Sequence, residues 1–224
     1  MPLPMQGLIE QLRNEAARMA GLVQQSVADA VDAVVRGDTR MAQNLIAADE
    51  GIDSAEVKIE KRAIDLLSLH QPAAGEFRLV LMVIKVNNEL ERVADCATNI
   101  SERVAPLASE LEAAGEPYAL PQELVELAQQ IVELVRQTVR AFNFADVEAA
   151  QAVIRADDRV DALYAGIVQQ SLSDMRRESA HVNRDLAHVM IAKNLERIGD
   201  HCTNIAEDIV YIKSGQIVRH RNAV

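Results

Sequence analysis

Apolar residues recur along this chain at steps of three and four, the period of a helix buried along one side. The clearest case is the last long segment, where Ile191, Leu195, Ile198, Cys202, Ile205 and Ile209 form one continuous stripe. The breaks in this pattern are few. "VRGDTR" at 35–40 pairs a helix-ending Gly37 with Asp38, a good N-cap for the next helix. "LHQPAAGE" at 69–76 stops the second helix before Pro72. "AAGEPYALP" at 113–121 holds Gly115, Pro117 and Pro121 and reads as the one real linker. "FNFADVE" at 142–148 is expected to repeat the Gly37–Asp38 turn with Asn143 and Asp146, and "RRESAHVNR" at 176–184 is a weaker break. The pattern predicts an all-α protein of six helices.

Those helices fall into two sets of three, residues 1–112 and 122–224, divided by the linker at 113–121. The halves can be laid over each other. "LIAADEGID" at 45–53 matches "VIRADDRVD" at 153–161, an offset of 108, and "ELERVADCATNISE" at 89–102 matches "NLERIGDHCTNIAE" at 194–207, an offset of 105. The second half is therefore three residues shorter between these blocks, a shortening expected in the "HQPAAGE" loop. Each half is an amphipathic three-helix unit, and together they predict two pseudo-symmetric three-helix bundles in one elongated molecule.

The repeat also duplicates a row of polar residues. At about 100° per residue, Glu196, Asp200, Asn204 and Glu207 cluster nearly opposite the apolar stripe. Glu91, Asp95, Asn99 and Glu102 do the same in the first half, with the same steps of four, four and three. Acids on the solvent face of a single helix are ordinary. Here the acidic positions stay fixed while neighbours vary: Lys193 stands where Asn88 stands, and His201 where Cys96 stands. The expectation is an outward-facing acidic stripe on each signature helix. Carboxylates four residues apart can share a hard or borderline cation, but an E-x-x-x-D pair needs further donors to complete its coordination.

Composition narrows the function classes. Aromatic residues make up only 3% and Trp is absent, so the core is aliphatic, as in helix bundles. A net charge of -11, spread along the chain, repels nucleic acid and anionic lipid, and suits cations or a basic protein surface. No apolar run approaches the roughly 18–20 residues of a membrane span. The N-terminus lacks the basic start of a signal peptide. Two cysteines, Cys96 and Cys202, make no disulfide framework and read as small packed side chains. A cytoplasmic protein without membrane insertion is expected.

"NNELERVADCATNI" and "KNLERIGDHCTNIAEDIVY" resemble the twin signature helices of the PhoU family of phosphate-transport accessory regulators. "RMAGLVQQSVADAV" at 18–31 is similar to that family's first helix, "QPAAGEFRLVLMVIKVNNELERVAD" at 71–95 to its loop and third helix, and "YIKSGQIVRH" at 211–220 to its ending. The resemblance implies a cytoplasmic homodimer that negatively regulates the phosphate-starvation response. Its implied partners are the phosphate ABC transporter ATPase and a membrane sensor histidine kinase. Some members carry iron or zinc clusters and others none, so the two faces are expected to hold iron, zinc or manganese or to stay metal-free. Carried over by position, the metal ligands are Glu91, Asp95, Glu196 and Asp200, with Asn99, Glu102, Asn204 and Glu207 in second rank. The first copy departs from the second in having Ala94 for Gly199 and Cys96 for His201, so its site is expected to be tighter or to bind metal less well.

An enzyme is the competing class. His181, Asp185 and His188, with "ESAH" at 178–181, spell the E-x-x-H of a carboxylate-bridged di-iron helical-bundle enzyme. Such centres need ligands aimed into a bundle core, and the first half has no counterpart. Neither a nucleophile elbow nor a phosphate-cradling glycine loop is present. The acid-rich "AADEGID" and "RADDRVD" blocks read as helix surface. The expectation is a regulator without catalytic residues.

Overall fold

Residues 5–214 are described in the computed structural model, and six long helices account for nearly all of them. They are α1 (Met5–Arg36), α2 (Thr39–His70), α3 (Ala74–Ala114), α4 (Gln122–Phe144), α5 (Val147–Arg177) and α6 (Val182–Ser214), with a 3-10 turn at Ser179–His181 leading into α6. The positions 215–220 of the "YIKSGQIVRH" ending lie outside the described residues. All six helices stand where the periodicity places them, and no described helix is long and apolar enough to cross a membrane.

The helix ends follow from local chemistry. Gly37 takes the left-handed conformation, φ 67°, that closes α1, and the Asp38 carboxylate accepts the Met41 N–H at 2.9 Å to start α2. The second half repeats this with Asp146, which accepts from Ala149 N at 3.0 Å. The left-handed residue there is Ala145, φ 49°, whereas Asn143 remains inside α4. The reason is register: the left-handed position must directly precede the N-cap, and Asn143 comes two residues too early. Ala145 accepts a cost of about 1 kcal/mol, offset by the Asp146 N–H bonding Ala141 O at 3.0 Å. The three-residue shortening is also relocated. Ala74 to Glu91 is three residues longer than Val182 to Glu196, so the difference lies at the start of α6, where the chain is drawn into the 3-10 turn.

A single hydrophobic core runs through all six helices. Its axis is α3 packed on α6; α1 and α2 flank α3, α4 and α5 flank α6, and α1 also meets α4. Ile191, Leu195 and Ile198 are 0% exposed and Cys202, Ile205 and Ile209 1%, as their spacing requires. Each large aliphatic side chain so buried contributes about 1.5–3 kcal/mol. Both cysteines are free and buried, and burial pushes their thiols up, to about 11 for Cys96 and about 12 for Cys202. Polar contacts register α3 against α6. Lys85 reaches the buried Asp208 at 3.0 Å, and Glu89 holds both His201 Nδ1 at 2.8 Å and Asn204 Nδ2 at 3.1 Å. The linker is held by Tyr118, whose hydroxyl donates to Val34 O at 2.7 Å, an otherwise orphaned carbonyl near the end of α1. Its ring lies so close over Gly37 that a Cβ there would come within 2.8 Å of it.

Candidate functional site

Beside its apolar stripe, each central helix carries a second buried row. In α3 it is Asn87, Ala94 and Ser101; in α6 it is Ala192, Gly199 and Ala206. Residues seven apart differ by only about 20° on the helix, so each row is nearly straight. These small side chains let α2 and α5 lie close. A Cβ on Gly199 would stand 3.2 Å from Val160 Cγ1 and 3.9 Å from Asp157 Oδ1. On α3, Asn87 Nδ2 instead donates to the Glu56 carbonyl at 3.0 Å. The signature acids sit just beyond these rows. They therefore look along the seams with α2 and α5 and are not simply outward-facing: Glu91 and Glu196 are half-buried, while Asp95 and Asp200 are exposed.

In the first half, α2 brings Asp49 and Asp53 up to Asp95. Their carboxylate oxygens come within 4.8 Å of one another, the one such convergence among the described residues. Asp49 Oδ1 and the Thr98 hydroxyl are buried beside each other and make no well-formed bond to any other group. Asp49 is raised above the usual carboxylate range, by burial first and then by the charges of Asp53 and Asp95. Asp95 is raised by burial and by Asp53, with Arg197 of the other half opposing. Glu91 is raised by burial, then by Asp95, Asp53 and Glu56. Four carboxylates that repel one another across a two-helix seam suit a hard cation, which would neutralise them.

The second half repeats the arrangement with Asp157 and Asp161 of α5 beside Asp200. Burial, then the charges of Asp161 and Asp200, push Asp157 up to about 6, with the neighbouring Thr203 hydroxyl opposing. The difference is Lys193. Its ammonium lies 2.6 Å from Glu196 and 5.3 Å from the centre of the Tyr164 ring, so this half carries its own counter-charge. Asn88 at the equivalent position holds Arg92 Nε at 3.1 Å. Convergence of three carboxylates is thus found in the half with Ala94 and Cys96, while Gly199 serves the close packing of α6 on α5.

Asn204, expected on the acidic row, turns to Glu89 in the α3–α6 interface. Asn99 and Glu207 are half-buried, and Glu102 is exposed beside Arg103 at 3.9 Å. The sequence reading missed Asp49, Asp53, Asp157 and Asp161. The signal was present: a D-x-x-x-D in "AADEGID" and "RADDRVD", at the same offset in both halves, is the counterpart of the E-x-x-x-D. The E-x-x-H residues do something else. Arg184 joins Asp185 at 3.1 Å to the linker residue Glu116 at 2.8 Å, and His181 reaches Glu116 at 3.2 Å. Asp185 and His188 are buried at the start of α6, a polar lock holding linker to helix.

The PhoU domain family model matches residues 16–104 and 124–209. The phosphate-specific transport system accessory protein PhoU of Serratia marcescens is 33% identical over 212 residues, covering 95% of this chain and 85% of that protein. The protein of the same description from Escherichia coli (strain K12) is 31% identical over 212 residues, 95% and 86%. The crystal structure of PhoU from Pseudomonas aeruginosa superposes with a TM-score of 0.88 at 30% identity, covering 95% of this chain and all of that one. The phosphate transport system regulatory protein PhoU from Streptococcus pneumoniae shares the fold, TM-score 0.86 at 21% identity over 96% and 99% of the two chains.

Proposed function

The chain belongs to the PhoU family, and on that premise we propose that it is an accessory protein of a phosphate-uptake system, a cytoplasmic regulator without chemistry of its own. It represses the phosphate-starvation response when phosphate is plentiful, through contacts with the transporter ATPase and a sensor histidine kinase. The observation that carries this reading is the match of both halves, almost end to end, to accessory proteins of phosphate transport. The di-iron enzyme alternative finds no support, since those relatives are described as accessory proteins and the histidine of the E-x-x-H is engaged with the linker.

The acidic clusters are proposed as metal sites. Asp49, Asp53, Glu91 and Asp95 would hold a cation in the first half, and Asp157, Asp161, Glu196 and Asp200 in the second. All eight offer oxygen, the donor set of hard and borderline ions, so iron or manganese fits better than a thiolate-seeking metal, and zinc fits less well. Bound there, the metal would supply charge neutralisation and leave coordination positions for a partner's donors.

Two measurements test the reading. Deleting the gene should switch on a phosphate-starvation reporter in high phosphate, and unchanged repression would overturn the regulatory assignment. Elemental analysis of untagged protein prepared without chelators should find iron, manganese or zinc that the Asp95→Ala/Asp200→Ala variant loses. Equal metal content in the two would remove the metal assignment and leave the clusters as acidic docking faces.

A further inference from the structure

The first turns of α6 are inverted relative to an ordinary amphipathic helix. Val182, Leu186 and Met190 face solvent, at 38%, 48% and 37% exposure, while Asp185 and His188 lie inward, each 4% exposed. Within Val182–Met190 these two are the only buried side chains, and both are polar. The fully buried apolar stripe of α6 begins just beyond them, at Ile191.

The repeat supplies an internal control. At the offset of 105 that relates α3 to α6, Asp185 stands where Val80 stands and His188 where Val83 stands, and both valines are 0% exposed. The matching stretch of α3 buries Met82 as well. The bundle therefore accepts ordinary apolar packing at these places, and the second half gives it up.

The buried pair is poorly compensated. His188 Nδ1 stands 4.0 Å from Asp185 Oδ1, too far for a hydrogen bond. Asp185 Oδ2 and His188 Nε2 are buried and make no hydrogen bond among the described residues. Burial pushes the His188 ring down to about 4, with Asp185 opposing and Arg184 adding, so at neutral pH the ring offers the carboxylate no counter-charge. That falls to Arg184, whose Nε donates to Asp185 Oδ1 at 3.1 Å and whose Nη1 donates to Glu116 Oε2 at 2.8 Å. Glu116 also meets His181 Nε2 at 3.2 Å. The Glu116 N–H is tied in turn to α3, donating to Leu111 O at 2.9 Å beside the left-handed Gly115. One further contact, Asn183 Nδ2 to Glu110 of α3, is long at 3.4 Å. The start of α6 is thus clasped from outside by one linker carboxylate, over buried polar atoms that opening would return to water.

We propose that Val182–Met190 is a strap that opens as one unit while the rest of the six-helix core stays folded, with the Glu116 carboxylate as its latch. No residue of the strap belongs to the acidic clusters, so the proposal does not rest on their metal assignment.

Native-state hydrogen exchange of the full chain in increasing urea tests it. The amides of Leu186–Met190 are expected to exchange at one common rate, at least about tenfold faster than those of Ile198–Ile205, and with little dependence on urea, as a local opening requires. Asp185→Val/His188→Val installs the residues of α3 and should slow them at least about tenfold. Glu116→Gln keeps the shape of the latch, removes its charge, and should speed them about three- to tenfold. Circular dichroism should show both variants folded. Exchange of Leu186–Met190 only through global unfolding would overturn the proposal. So would a gradient of rates slowing inward from Val182, the pattern of simple end fraying, or rates that either substitution leaves unchanged.

Discussion

Replacing Asp157 by Asn should stabilise this protein near neutral pH, an unusual direction for a substitution at a proposed site. Asp157 is partly buried and faces the charges of Asp161 and Asp200, which outweigh the opposing contact with the Thr203 hydroxyl. Its carboxyl is pushed from 3.8 to about 6. The unfolded chain therefore releases this proton at lower pH than the folded one. Stability falls as pH rises between these two values, and the full penalty is present above the upper one. Two units correspond to about 3 kcal/mol, and solvent screening of a half-exposed carboxylate reduces the usable part to about 1–2 kcal/mol. Asn has nearly the same shape and cannot ionise. In urea unfolding with a chelator present, Asp157→Asn should exceed the wild type by that amount at about pH 7, or by about 3–6 °C in melting temperature, and the gap should close near about pH 4. Manganese should then narrow the gap at neutral pH by binding the folded wild type more strongly than the folded variant, because a ligand of the folded state alone stabilises it. A variant no more stable than wild type at neutral pH would refute the reasoning, showing that the cluster's repulsion is already relieved by water or by conformational change.

Glu89 tests the opposite sign. Burial would raise its pKa, but the His201 and Asn204 bonds outweigh burial and lower it. The advantage of the wild type over Glu89→Gln should thus be present above the ordinary glutamate range, about 1–2 kcal/mol by chemical denaturation, and shrink on acidification. Tyr118→Phe removes the bond to Val34 O and should cost about 1 kcal/mol in the same assay, because the carbonyl is left unpaired. Gly166→Ala should add about 0.5–1 kcal/mol, read as a higher urea midpoint, since that α5 glycine is exposed and a Cβ there meets nothing within 4 Å.

Much of the molecule is legible in the order of its residues. Helix periodicity, the Asp38 and Asp146 caps, the linker glycine and prolines, and the duplication of two sequence blocks determine six helices in two related sets. They do so because caps, turns and amphipathic stripes act within a few residues along the chain. The identity of Glu91, Asp95, Glu196 and Asp200 as an unusual set was likewise readable from their repeated spacing.

Which helix those acids would face was not. The rows that decide it are Asn87, Ala94 and Ser101 on α3 and Ala192, Gly199 and Ala206 on α6, side chains too small or too polar to register as a hydrophobic stripe. Only when α3 and α6 are each surrounded by three other helices do these rows become contact faces. Then Asp49 and Asp53 are carried to Asp95, and Asp157 and Asp161 to Asp200. The same packing decided that Asn204 and His201 hold Glu89 across the central pair. The chain alone determined which residues could lie together on one helix. The tertiary structure decided which charges oppose each other between helices, because repulsion and burial depend on distances of a few ångströms that sequence separation does not encode.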